Sequence, residues 1–118
     1  MSEWIAIARV GELDEGAMKG IAVDGRRVLL ALVGGEYLAA ADRCPHMGAA
    51  LSEGQLQGTV VTCPRHGSQF DLKDGRVVRW LKAPGVIAAV GRALMPPRPL
   101  DTYRVKVEGQ DVLISIEG

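Results

Sequence analysis

"CPRHGSQF", residues 63–70, puts a thiol, a proline and an imidazole within four positions and then runs into a strand-like stretch. Two donors rarely make a metal site, so Cys63 and His66 need company. "RCPHMGA", residues 43–49, supplies it with Cys44 and His46. The joint pattern is Cys44-x-His46, sixteen residues, then Cys63-x-x-His66. These are the only 2 cysteines and 2 histidines in a chain of 118 residues, and chance rarely gathers so few into two tight clusters. Pro45 and Pro64 follow the cysteines, fixing φ and removing an amide that would need a partner. Gly48 and Gly67 stand just beyond the histidines, where a missing Cβ lets backbone approach closely. Two near-identical loops are what two fingers closing on one object require.

Outward from these loops the chain reads as short strands between turns. "TVVTC" (59–63) and "SQFDL" (68–72) flank the second loop, and Asp74-Gly75 turns into "RVVRW" (76–80). Upstream, "WIAIARV" (4–10) opens the chain, and "MKGIAV" (18–23) and "RRVLLALV" (26–33) flank Asp24-Gly25, a pair suited to a tight hairpin. Gly34-Gly35 leads into "EYLAAA" (36–41). Downstream, "TYRVKV" (102–107) and "VLISIE" (112–117) alternate with period two around a turn at "EGQD". Many short strands with glycine turns predict an all-β sandwich or barrel of antiparallel sheets. One segment breaks the pattern. "APGVIAAVGRALMPPRPL" (83–100) is apolar and proline-punctuated, with residues 86–95 expected as a short helix or a packed loop.

Bulk properties narrow the function classes. The length favours one domain, expected over 1–118, with enough core to fold without staples. Fourteen basic residues balance 14 acidic ones, so no bulk attraction to nucleic acid or an anionic membrane is expected. The start, "MSEWIAIARVGELDEG", has neither a basic opening nor a long apolar run, so neither a secretory signal nor a membrane span is expected. Cysteines without a signal suggest a reducing, cytoplasmic setting, where thiols serve as ligands or nucleophiles.

The two loops, the glycines beside them, "GSQFD" beyond the second and the all-β pattern together resemble the Rieske iron–sulfur proteins. The resemblance implies the Rieske fold, with a cluster-binding subdomain of two ligand loops at about 42–80, and one [2Fe–2S] cluster. It further implies that Cys44 and Cys63 hold the inner iron and His46 and His66 the outer one. Two ferric ions, two sulfides and two thiolates are formally neutral, so an added electron meets less repulsion than with four thiolates. Imidazole ligation accordingly lifts the potential to roughly −150 to +300 mV, against about −400 mV for a plant-type cluster. The same four side chains would also satisfy a tetrahedral zinc ion. Zinc sites usually group ligands by type rather than alternating them, and a catalytic Cys–His pair would leave the other pair unexplained.

Departures from the family pattern suggest tuning. High-potential members carry a disulfide between the loops, where this chain has Ala49 and Arg65, so the resemblance is to the low-potential ferredoxin branch. Ser68 matches a serine that donates to a bridging sulfide, and Phe70 replaces a tyrosine that donates a second bond. Arg43 and Arg65 flank the loops and are candidates for steering an acidic partner. Family members cover the cluster with a third, proline-containing loop; the resemblance implies that this loop is split here by an insertion at about 85–95, whose Val86, Ile87, Val90, Leu94 and Met95 either dock a partner or pack inside. The resemblance implies a monomeric, non-catalytic carrier working transiently between a flavin-containing reductase and a terminal oxygenase. The alternative is a small subunit of a multi-subunit reductase of the nitrite reductase type. No histidine remains for the mononuclear iron of an oxygenase itself.

Overall fold

The run "RRVLLALV" forms strand β3 (Arg26–Val33), and its side chains alternate between two cores. Val28 and Leu30 enter one, while Leu29 and Ala31 enter the other, all fully buried. A strand buried on both faces has no polar side to show, which is why this stretch is continuously apolar rather than alternating. The computed structural model describes residues 4–45, 48–65, 67–80 and 97–115.

Around β3 lies a six-stranded antiparallel sheet. It contains β1 (Trp4–Arg9), β2 (Met18–Val23), β4 (Glu36–Ala41), β9 (Thr102–Glu108) and β10 (Asp111–Ser115), in the order β1-β10-β9-β4-β3-β2. Asp24 and Gly25 both take positive φ, 47° and 78°, the geometry that lets a two-residue turn join β2 to β3. A second, four-stranded sheet runs β5 (Gln55–Gln57), β6 (Val60–Thr62), β7 (Gln69–Asp71) and β8 (Val77–Arg79) in chain order. The all-β expectation therefore stands, with antiparallel pairing throughout.

The first core lies on the inner face of the large sheet and holds Leu13, Val23, Val112 and Ile114. The second lies between the two sheets and holds Leu51, Val61, Phe70, Trp80 and Leu100, together with Cys44 and Cys63. Phe70 and Trp80 meet edge to face there, with centroids 6.3 Å apart at 88°. Aromatic pairs favour this arrangement because the positive ring edge meets the negative face.

Two elements were not anticipated. Leu51–Glu53 forms a single 3-10 turn, and "QLQ" at Gln55–Gln57 is an edge strand. Neither has a periodic signal, since three residues are too few to show one. The expected helix or loop at 86–95, with Val86, Ile87, Val90, Leu94 and Met95, lies outside the described residues.

Candidate metal centre

Each cysteine follows the end of a strand, β4 of the larger sheet for Cys44 and β6 of the smaller for Cys63. β4 ends at Ala41, and the chain passes Asp42 and Arg43 to reach Cys44. The loop closes tightly, with the Cys44 amide donating to the Ala49 carbonyl at 2.8 Å and the Gly48 amide to the Cys44 carbonyl at 2.8 Å. Gly48 takes φ 75°, a left-handed conformation that a residue with a Cβ rarely adopts. The second loop is built alike. β6 ends at Thr62, the Cys63 amide donates to the Ser68 carbonyl at 2.7 Å, and Gly67 takes φ 73°. Cys44 and Cys63 are 1% and 2% exposed, so two thiols distant in sequence share one dry, apolar core.

Each loop is braced from outside. Asp42, its side chain fully buried, accepts from the Ser52 amide at 2.7 Å, the Ser52 hydroxyl at 2.6 Å and the Arg27 guanidinium at 3.3 Å. Gly20 lies against this knot, and a Cβ there would stand 2.4 Å from Asp42 Oδ2. Gly54 plays the same part for the second loop, since a Cβ would stand 1.9 Å from the Thr62 carbonyl oxygen. Residues 97–100 bridge the first loop and the β7–β8 turn: Arg98 donates to the Pro45 carbonyl at 3.2 Å, and the Leu100 amide donates to the Gly75 carbonyl at 2.8 Å. From β8, Arg79 Nε donates to the Gly67 carbonyl at 3.0 Å.

His46 and His66 lie outside the described residues, and among the described residues no group of three or more metal-ligating side chains forms. The thiol half fits an iron–sulfur group well. Thiolates bind iron strongly, and the water-poor surroundings protect acid-labile sulfide. Ser68 is fully buried and its hydroxyl donates to the Trp80 carbonyl, so donation to a sulfide requires that hydroxyl to turn. Phe70 is fully buried and brings no hydroxyl. Pro45 is half-buried, Pro64 is exposed, and Arg43 and Arg65 are exposed on the walls of open clefts beside Cys44 and Cys63. Arg79 and Arg98 went unremarked in sequence, because a lone arginine carries no spacing signal.

The Rieske [2Fe-2S] domain family matches residues 3–103. The chain belongs to the Rieske [2Fe-2S] family. Among its relatives, the ferredoxin component of the naphthalene 1,2-dioxygenase system of Pseudomonas aeruginosa is 34% identical over 116 residues, covering 97% of this chain and 96% of that protein. The ferredoxin component of biphenyl 2,3-dioxygenase of Rhodococcus jostii (strain RHA1) is 38% identical over 112 residues, covering 95% and 92%. A chain in the solved complex of reduced oxygenase and oxidized ferredoxin in carbazole 1,9a-dioxygenase aligns with a TM-score of 0.76 at 26% identity, over 95% of this chain and 92% of that one. This Rieske protein carries one [2Fe–2S] cluster, and it is an electron-carrying component rather than a catalyst. No helix among its described residues is long and apolar enough to cross a membrane.

Proposed function

We propose that this chain takes electrons one at a time from a flavin-containing reductase and hands them to the terminal oxygenase of a ring-hydroxylating dioxygenase system. The observation that carries the reading is the pair of buried thiols on matched loops, in a chain related over nearly its whole length to ferredoxin components of such systems. Cys44 and Cys63 would hold one iron, and His46 and His66, on the same loops in sequence, would hold the other. When bound, the cluster supplies a reversible one-electron site whose potential the imidazole ligands raise.

The chain's own residues do the rest. The two buried cysteines keep water from the sulfur half, and the Gly48 and Gly67 turns let both loops wrap closely. The Asp42–Ser52 bonds and the Gly54 contact fix where each loop begins, so little rearrangement accompanies a change of charge. The chain acts as one domain over 1–118, with its cluster-binding subdomain at about 42–80, and works in the cytoplasm.

The test is stopped-flow mixing of the dithionite-reduced protein with an oxidised terminal oxygenase of the naphthalene type, and separately with a sirohaem nitrite reductase. Fast reoxidation by the oxygenase alone is expected, and transfer to the nitrite reductase alone overturns the reading. Cys44→Ser and Cys63→Ser should each abolish bound iron and acid-labile sulfide. His46→Ala or His66→Ala should do so or leave a spectrum of changed resonance.

A further inference from the structure

The chain is neutral as a whole, yet its charges are sorted along the strands. β4 runs into the first ligand loop, so the antiparallel register puts the start of β3, the Asp24-Gly25 turn and the start of β9 at the same, cluster end. Here stand Arg26, Arg27, Arg43, Arg65, Arg79 and Arg98, against Asp24, Asp42, Glu53 and Asp101. Asp42 is wholly buried and already paired with Arg27, which leaves five guanidiniums facing three exposed carboxylates. Among the described residues, none of Arg26, Arg43, Arg65, Arg79 or Arg98 is in an ion pair. Arg43 lines a cleft with Arg98 on one side and another with Arg26 and Arg27 on the other, while Arg65 and Arg79 line the cleft at Cys63.

The opposite end is acidic. It comprises the β1–β2 loop, the Gly34-Gly35 turn and the β9–β10 turn, as the pairing of Arg9 with Asp111 and of Val33 with Glu36 fixes. Glu12, Asp14, Glu15, Glu36, Glu108 and Asp111 lie there against Arg9, Lys19, Lys106 and, in the groove it shares with Glu36, Lys73.

From this sorting we infer that the cluster end is a cationic docking face whose partner presents carboxylates at its own electron-accepting site. The inference rests on the electron-carrier reading and extends it from two arginines to a whole face. Such a separation makes a dipole that turns the cluster toward an acidic partner before contact, and oriented encounter is where surface charge changes rates most. Arg79 and Arg98 differ from the rest, because each also donates to a carbonyl of a ligand loop. Their charges are therefore fixed beside the centre, whereas among the described residues nothing tethers Arg43 and Arg65 to a carboxylate.

The test uses two small one-electron oxidants of opposite charge, ferricyanide and hexaammineruthenium(III), mixed with the reduced, cluster-loaded protein across ionic strengths. Each takes one electron, giving ferrocyanide or the ruthenium(II) complex and the oxidised cluster. The ferricyanide rate should fall as salt rises, and the ruthenium rate should rise. Arg43→Glu with Arg65→Glu should slow ferricyanide about tenfold or more at low salt, within the range of steering effects, and reverse both slopes. Glu36→Lys with Asp111→Lys, at the far end, should leave both rates within about twofold. Salt-independent rates, or a ferricyanide rate that rises with salt in the parent protein, overturn the inference. Neither oxidant depends on the biological partner, so failure with the oxygenase alone refutes the proposed function and leaves the cationic face standing.

Discussion

Asp42 is the most informative residue to remove. Its carboxylate is buried and accepts two bonds from Ser52 and one from Arg27, tying the chain just ahead of Cys44 to the 3-10 turn just beyond the loop. The Arg27 bond counts for little, since that side chain is 57% exposed and water screens it. The two Ser52 bonds are charge-assisted, worth about 1.5–3 kcal/mol each, and truncation also strands the Ser52 donors. Asp42→Ala should therefore cost about 3 kcal/mol, roughly a hundredfold in the folding equilibrium. Gly20→Ala attacks the same knot by steric means, because the new Cβ would stand 2.4 Å from both Asp42 Oδ2 and Arg27 Nη2 and 2.8 Å from Ser52 Oγ. It should cost about 1–3 kcal/mol alone. Once Asp42 is alanine, one of the three atoms it strikes is gone and only Ser52 Oγ and the flexible end of Arg27 remain, so the two changes together should cost about 1 kcal/mol less than their sum. Anaerobic urea titration, followed by far-ultraviolet circular dichroism and cluster absorbance together, measures all four corners of the cycle. Strict additivity, or an Asp42→Ala midpoint equal to the parent's, refutes the reasoning.

Gly54→Ala places a Cβ 1.9 Å from the Thr62 carbonyl oxygen, so the backbone leading into Cys63 must shift. Iron content should fall and stability drop by about 3 kcal/mol, whereas a fully loaded variant of parental stability would show that the strand yields freely. Glu15 accepts from the Gly34 amide at 2.5 Å and the Gly35 amide at 2.9 Å, which holds its carboxyl below the ordinary value. A depressed carboxyl stabilises above its unfolded pKa, and that contribution is lost as pH falls through the folded one. Thermal midpoints of Glu15→Gln should thus lie below the parent's near neutrality and converge with them in acid below about pH 4. Ser68→Ala removes a buried donor to the Trp80 carbonyl and should cost about 1–3 kcal/mol.

Most of the fold was legible because most strands are long enough to show a period. β2, β3 and β4 match the sequence boundaries of 18–23, 26–33 and 36–41. Their turns are marked by residues that tolerate positive φ, so no tertiary information was needed to place them. What escaped was short or long-range. "QLQ" becomes a strand only by pairing with β6, and Leu51–Glu53 turns only because Asp42 holds Ser52. The four candidate ligands stood out because proline and glycine mark both loops. Nothing local, by contrast, announces that Gly20 and Gly54 must lack side chains; their neighbours are a carboxylate from β4's end and a carbonyl from β6. The charge sorting escaped for a similar reason, since a zero total hides which end of an antiparallel sheet each residue reaches.

The clasp between Gly75 and Leu100 has a consequence for how such chains diverge. The Leu100 amide bonds to the Gly75 carbonyl, and Gly75 leaves no room for a Cβ, which would stand 2.0 Å from the Leu100 oxygen. The clasp thereby ties the β7–β8 turn of one sheet to the chain just ahead of β9 in the other. Neither sheet can slide past the other there without giving up that bond, so sequence change at Gly75 is far less free than change on the exposed strand faces.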